Sequence, residues 1–311
     1  MKALRVLSVA AAALALIVVV VGAYVRLSDA GLGCPDWPLC YGRPLPADIG
    51  DSAAHAKAWK EMVHRYFAAT LGLVIVALAI AAWRARRSRA IACALVLLVA
   101  FQAALGKWTV TMLLKPAVVT AHLLGGMATL GLLVWLALSQ WPHTTASNAR
   151  ALRPIAALAL GALAVQIALG GWVSANYAAL ACPDLPWCRG AAVPAMDFAN
   201  AFHVVRELGR TGEGGLLPLE ALIAIHWTHR LFALVVLTLV LIAAARVWRI
   251  ERAPASVLGA LVLLQFSLGV ANVAFGLPLA LAAAHNAGAA LLLVMLVVLN
   301  FFAFRGLRLS W

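Results

Sequence analysis

The chain has 311 residues, of which 65% are hydrophobic and only 11% charged. Soluble domains run at about half apolar and a quarter charged, so neither a soluble core nor a disordered tail fits, and the composition is that of a membrane protein. The net charge of +13 would suggest nucleic acid in a soluble chain. Here its distribution reads as a membrane-topology signal and requires no nucleic-acid partner.

A helix crosses the hydrocarbon core with about 20 apolar residues, and eight stretches qualify. In chain order they are Val6–Val25, Val63–Trp83, Ala90–Met112, Ala117–Trp141, Pro154–Ala175, Leu222–Ala245, Ala255–Phe275 and Leu279–Phe304. Lys2 and Arg5 ahead of the first run also fit a cleaved signal peptide. That run is long enough to span, however, and has an internal counterpart, so a retained helix is expected. Asp48–Met62 and Ala195–Arg210 carry apolar residues at mixed three and four spacing. Each is expected to form a short amphipathic helix on the outer surface, either covering the bundle mouth or anchoring in the interface.

Orientation follows from Lys and Arg in the loops. One side holds thirteen of them, in both termini and in the loops near 84–89, 142–153 and 246–254, against the single acid Glu251. The other side balances eleven basic residues with ten acids. Both termini are therefore expected in the cytoplasm, with the loops near 26–62 and 176–221 outside.

The halves echo each other. Cys34-Pro35-Asp36-Trp37-Pro38-Leu39-Cys40 returns as Cys182-Pro183-Asp184-Leu185-Pro186-Trp187-Cys188, an offset of 148. His64-Arg65 returns as His229-Arg230, an offset of 165, while Leu105-Gly106 and Ala121-His122 return as Leu268-Gly269 and Ala284-His285, both offset by 163. Each half, 1–145 and 146–311, is thus four helices. An even helix number returns the chain to its starting side, so the repeats run parallel about an axis along the membrane normal. The expected fold is all-α, two tandem pseudo-symmetric four-helix bundles side by side.

Four of the eight histidines, His64, His122, His229 and His285, stand at repeat-matched positions near the outer ends of helices two, four, six and eight. Ionisable groups inside spans mark functional sites. Two imidazoles from facing helices at one depth can ligate one haem iron axially. A zinc site would want three or four ligands, and each pair offers two. Arg65 and Arg230 follow a ligand candidate directly and could pair with haem propionates. Gly106, Gly125, Gly126, Gly269 and Gly288 would let a flat macrocycle approach, or simply serve helix packing. His55, His143 and His203 read as ordinary loop residues.

The halves also differ. Glu61 lies one turn before His64 and could accept protons during substrate oxidation, or merely orient His64 or face water at the interface. The matching position in the second half is His226, and Arg26 aligns with Ser174. Cys34 and Cys40, and Cys182 and Cys188, lie in outer loops where disulfides persist, and each pair is close enough in sequence to bridge. The second bridge reads as a staple, and the first is open between staple and redox pair. Cys93 stands alone in helix three.

These residues resemble the haem A synthase family over nearly the whole chain. The resemblance rests on Arg26-Leu27-Ser28, Gly31-Leu32 and the Cys34–Cys40 motif. It rests also on Glu61-Met62-Val63-His64-Arg65, on Leu105–Thr111 with Thr120-Ala121-His122, and on His229-Arg230 and His285. It implies oxidation of the C8 methyl of haem O to a formyl group, giving haem A for terminal oxidases. It also implies a substrate site at His64 and His122, a haem b cofactor at His229 and His285, and a catalytic glutamate at Glu61. Where the family carries cysteine pairs, the first is tied to activity. Implied partners are haem O synthase and cytochrome oxidase assembly factors within the lipid of a bacterial cytoplasmic membrane. A homo-oligomer is left open.

Two axial histidines on the substrate iron leave no open position for oxygen. Either one ligand is labile, or the porphyrin edge is oxidised by electron removal with water as the oxygen source. A di-haem b-type electron-transfer protein is the competing function. A transporter has less support, since no acidic or polar residue is seen at mid-membrane depth.

Overall fold

The computed structural model describes residues 2–46 and 50–308, which are helical apart from loops, short 3-10 turns and isolated backbone bridges. Among the described residues eight helices are long and apolar enough to cross a membrane. These are α1 (Lys2–Leu27), α2 (Ser52–Arg84), α3 (Arg89–Thr111), α4 (Pro116–Leu138), α5 (Arg153–Ala175), α6 (Leu219–Trp248), α7 (Arg252–Ala274) and α8 (Leu279–Arg305). Their ends follow capping chemistry. The Asp51 carboxylate accepts from the Ala53 and Ala54 amides at the start of α2. Pro116 opens α4, where its missing N–H is one of the unpaired donors anyway. Gly306, at φ +61°, ends α8.

Both expected surface helices are corrected. Residues from Ser52 onward continue without a break into α2, so the outer segment is the extended N-terminus of a spanning helix; Asp48 lies outside the described residues. Of Ala195–Arg210 only the single turn Phe198–Ala201 is helical. There the Arg206 side chain turns inward, bonding Asn176 Oδ1 at 2.5 Å over the Trp172 ring, which an amphipathic surface helix would not permit.

Helix contacts α1–α2, α2–α3, α3–α4 and α1–α4 close one four-helix bundle, and α5–α6, α6–α7, α7–α8 and α5–α8 close the other. Contacts α4–α5, α1–α8 and α4–α8 join them. Helix α8 is the most enclosed, with 72% of its apolar window buried against 17% for α1 and α7. It contributes Leu292, Leu296 and Phe301 to the shared core. Leu73, Leu97, Leu158, Leu231 and Leu263 are exposed, a surface that hydrocarbon solvates and water does not.

The repeat is visible in atomic detail. Arg26 Nη2 donates to the Ser174 carbonyl at 2.7 Å, and the Tyr177 hydroxyl donates to Asp29 Oδ1 at 2.8 Å. Both pairs are 148 residues apart, the offset of the two cysteine loops. Positions equivalent under a two-fold rotation touch only beside its axis, so the axis passes between the C-terminal ends of α1 and α5. Left-handed backbone recurs at the same offsets, at Asp29 and Tyr177 (52° and 54°) and at Leu114 and Leu277 (57° and 64°).

At the opposite end, Arg5, Arg89 and Arg252 stack over Trp141, Trp83 and Trp248, the pairing of cation and amphipathic ring expected at a membrane interface. His143 is not the plain loop residue expected. The 142–153 loop folds back on the end of α8, through Ala146 N–H to Gly306 O at 2.8 Å, and holds the imidazole edge-on against Phe301 and Phe302. His55 lies on α2 and accepts from Trp59 Nε1 at 2.9 Å, while His203 is exposed as expected.

Candidate functional site

A cavity of about 1440 Å³ lies toward the ends of the bundles that carry the cysteine loops, lined from both halves and by all four repeat histidines. A pocket for one drug-sized ligand is about 300–1,000 Å³, so this space is of a size for more than one such ligand. His122 and His285 each sit six residues into their helices, α4 and α8. His64 and His229 lie twelve and ten residues into the longer α2 and α6. Within each half the two imidazoles stand on different helices and line the same cavity.

Each imidazole abuts a glycine on the adjacent helix. A Cβ on Gly22 would lie 2.7 Å from His64 Cε1, on Gly170 3.0 Å from His229 Cε1, on Gly269 3.1 Å from His285 Cε1 and on Gly106 3.5 Å from His122 Cε1. Gly106 and Gly269 were expected near a ligand. Gly22 and Gly170 were missed, although the 148-residue offset relates them. Gly125 and Gly288 instead make room for Gln102 and Gln265, and Gly126 faces Val19.

The amides correct the view that the spans lack polar groups. Gln102 and Gln265, 163 apart, line the cavity from α3 and α7. Gln265 Nε2 comes within 3.3 Å of both His285 ring nitrogens, whereas Gln102 Nε2 is buried without a partner. Gln166 Nε2 donates to the His229 carbonyl at 3.1 Å. Neutral amides blend into an apolar run, so hydropathy alone passes over them.

The rim of the cavity is built from the cysteine loops. Both disulfides, Cys34–Cys40 and Cys182–Cys188, are formed, and all four cysteines are fully buried. Asp36 accepts from the Tyr41 and Gly42 amides, and Asp184 from those of Arg189 and Gly190. These amide bonds hold the Asp184 carboxyl below the usual carboxylate range. Arg65 Nη1 donates to the carbonyls of Asp36 (2.9 Å), Pro38 (3.3 Å) and Leu39 (2.7 Å). Arg230 matches it, donating to the carbonyls of Cys182, Asp184 and Trp187. Both arginines, expected at propionates, thus line the cavity while strapping a loop over each mouth.

Between strap and ligand the halves diverge. Glu61, 5% exposed, takes Arg65 Nη2 at 2.5 Å and the Cys34 amide at 3.0 Å. At the equivalent place His226 Nε2 accepts from Arg230 Nε at 3.1 Å. Glu61 is the one carboxylate among the cavity-lining residues described.

The donor set fits a porphyrin better than a bare ion. Nδ1 of His64, His122 and His229 is buried without a partner, two imidazoles serve each half, and glycine clefts receive them. Among the described residues no cluster of three or more His, Cys, Asp or Glu could hold a metal ion.

Residues 5–297 match the sequence profile of the cytochrome oxidase assembly proteins, COX15-CtaA. The chain is 42% identical to Heme A synthase of Shewanella oneidensis over 92% of each chain. It is 30% identical to Heme A synthase of Caulobacter sp. over 91% of this chain and 90% of that one. To Heme A synthase of Halalkalibacterium halodurans it is 29% identical over 70% of this chain and 73% of that one. With paired histidines in two matched bundles and a match across nearly its full length, the chain belongs to the haem A synthase family of cytochrome oxidase assembly proteins.

Proposed function

We propose that this protein oxidises the C8 methyl of haem O to a formyl group, giving haem A for cytochrome oxidase. Residues 1–145 hold the substrate at His64 and His122, and residues 146–311 hold haem b at His229 and His285. One observation carries the assignment of roles: both halves offer the same imidazole pair, but only the first sets a buried carboxylate, Glu61, one turn away. Haem b, when bound, supplies electron transfer.

With water as the oxygen source, turning a methyl into a formyl group releases four protons along with the four electrons passed to an external acceptor, so protons must leave an apolar enclosure. Glu61 is placed to receive them, held in position by Arg65 and the Cys34 amide. Arg65 and Arg230 serve each porphyrin by fixing the loop above it. Burial of all four cysteines supports a staple at both bridges, since thiol exchange needs access. The basic inner loops support cytoplasmic termini and haem sites toward the outer face. Haem O synthase and oxidase assembly factors are the partners this reading implies. The di-haem electron carrier is less favoured, because it gives the Glu61 and His226 difference no role.

The test is complementation of a bacterial strain lacking haem A synthase, read by chromatography of extracted haems. Haem A should appear. Persistent haem O with only haem B on the purified protein would instead support the electron carrier. In the same strain Glu61→Gln keeps the shape of the side chain and one of the two accepting oxygens, since its amide NH2 cannot accept from Arg65 or the Cys34 amide, and it cannot take a proton. Haem A formation should fall by about 10²-fold or more, with the haem b spectrum intact. Wild-type haem A levels in that variant would remove Glu61 from the chemistry.

A further inference from the structure

We propose that Arg26 binds a propionate carboxylate of the substrate porphyrin, from beside the axis between the two halves. This rests on the assignment of His64 and His122 to haem O. Gly22 and Arg26 are four residues apart on α1 and share one face. Gly22 receives the His64 imidazole on that face, so Arg26 lies about one turn, or roughly 6 Å, further toward the outer end. A porphyrin ligated by His64 with its propionates outward would bring a carboxylate to that level.

Arg26 lines the cavity, and its guanidinium is only partly satisfied by the protein. Its Nη2 is taken by the Ser174 carbonyl and its guanidinium lies 4.1 Å over the Tyr177 ring. Its Nε is buried with no partner. A cation in the last turn of a helix suits the dipole, which accounts for the place of the charge but not for the orphaned Nε. Neighbouring acids are engaged elsewhere. Asp29 takes the Tyr177 hydroxyl and the Lys57 ammonium, at 2.8 and 3.2 Å, and Glu61 takes Arg65. Arg65 and Arg230 spend their Nη1 groups on the cysteine loops. The repeat equivalent of Arg26 is Ser174, one turn beyond Gly170, which faces His229. The cation therefore belongs to the half that carries Glu61, and haem b gains no counterpart of it.

The test uses the purified full chain with haem b in place, titrated with haem O and with haem O whose two propionates are methyl esters. Wild type should bind the free acid about 10- to 100-fold more tightly than the diester. Arg26→Gln should erase that discrimination, and Arg26→Lys should restore part of it. The haem b spectrum should stay unchanged throughout, as a check on folding. Equal binding of acid and diester by wild type would overturn the proposal without any variant, as would full discrimination in Arg26→Gln. His64→Ala separates the two readings. If it binds haem O normally, the assignment of the substrate half fails; if it loses haem O while Arg26→Gln discriminates as wild type does, only the role of Arg26 fails.

Discussion

Replacing His229 or His285 with Ala is expected to abolish the low-spin haem b spectrum, whereas His64→Ala and His122→Ala should abolish haem A formation and keep haem b. Both effects should be near-complete, because an alanine methyl supplies no axial nitrogen and its neighbours cannot substitute. Among the described residues no third His, Cys, Asp or Glu joins either pair to form a cluster. The imidazoles of a pair also stand on different helices, α2 and α4 or α6 and α8, so losing one leaves the porphyrin tethered to one wall. The separation of phenotypes follows from the helix contacts. Each pair sits inside a bundle closed by its own four helices, so damage to one site need not unseat the other. Optical spectra of the purified variants and chromatography of their haems read both outcomes. Normal haem A production by all four variants would dismiss the ligand assignment.

The second large effect is expected at glycines remote in sequence from any histidine. In Gly22→Ala the new Cβ would sit 2.7 Å from His64 Cε1, closer than real Cβ contacts come, so the ring must move by most of an ångström. A free imidazole swings aside at little cost, but one fixed to iron cannot. A misplacement of about 1 Å costs on the order of 10²-fold in rate. Gly22→Ala should therefore depress haem A formation about 10²-fold while sparing haem b. Gly170→Ala and Gly269→Ala, at 3.0 and 3.1 Å, should weaken haem b retention instead. Gly106→Ala, at 3.5 Å from His122, meets only ordinary contact and should stay within a few-fold of wild type. This ranking is read from haem content and haem A yield. Equal tolerance at all four positions would mean that the rings are free, and hence not ligands.

Much of this was legible in the chain. Eight apolar runs, the basic loops and the repeat offsets fix a duplicated helical membrane protein, because the bilayer leaves few structures a backbone can adopt within it. The cysteine spacing fixed the bridges, since six residues reach no further than a local loop. The matched histidines pointed to the cavity that all four line, because ionisable groups in spans are rare. The tertiary structure decided what no local pattern encodes. Arg65 and Arg230 turn out to strap the cysteine loops, because a guanidinium near several carbonyls satisfies them before it can wait on a ligand. Residues 52–62 join α2 because nothing between them and His64 breaks a helix. The contact of Arg26 with Ser174, and of Asp29 with Tyr177, exists only because two bundles meet at an axis. Proximity across an axis depends on how whole helices pack, and a sequence states which residues correspond without stating which of them touch.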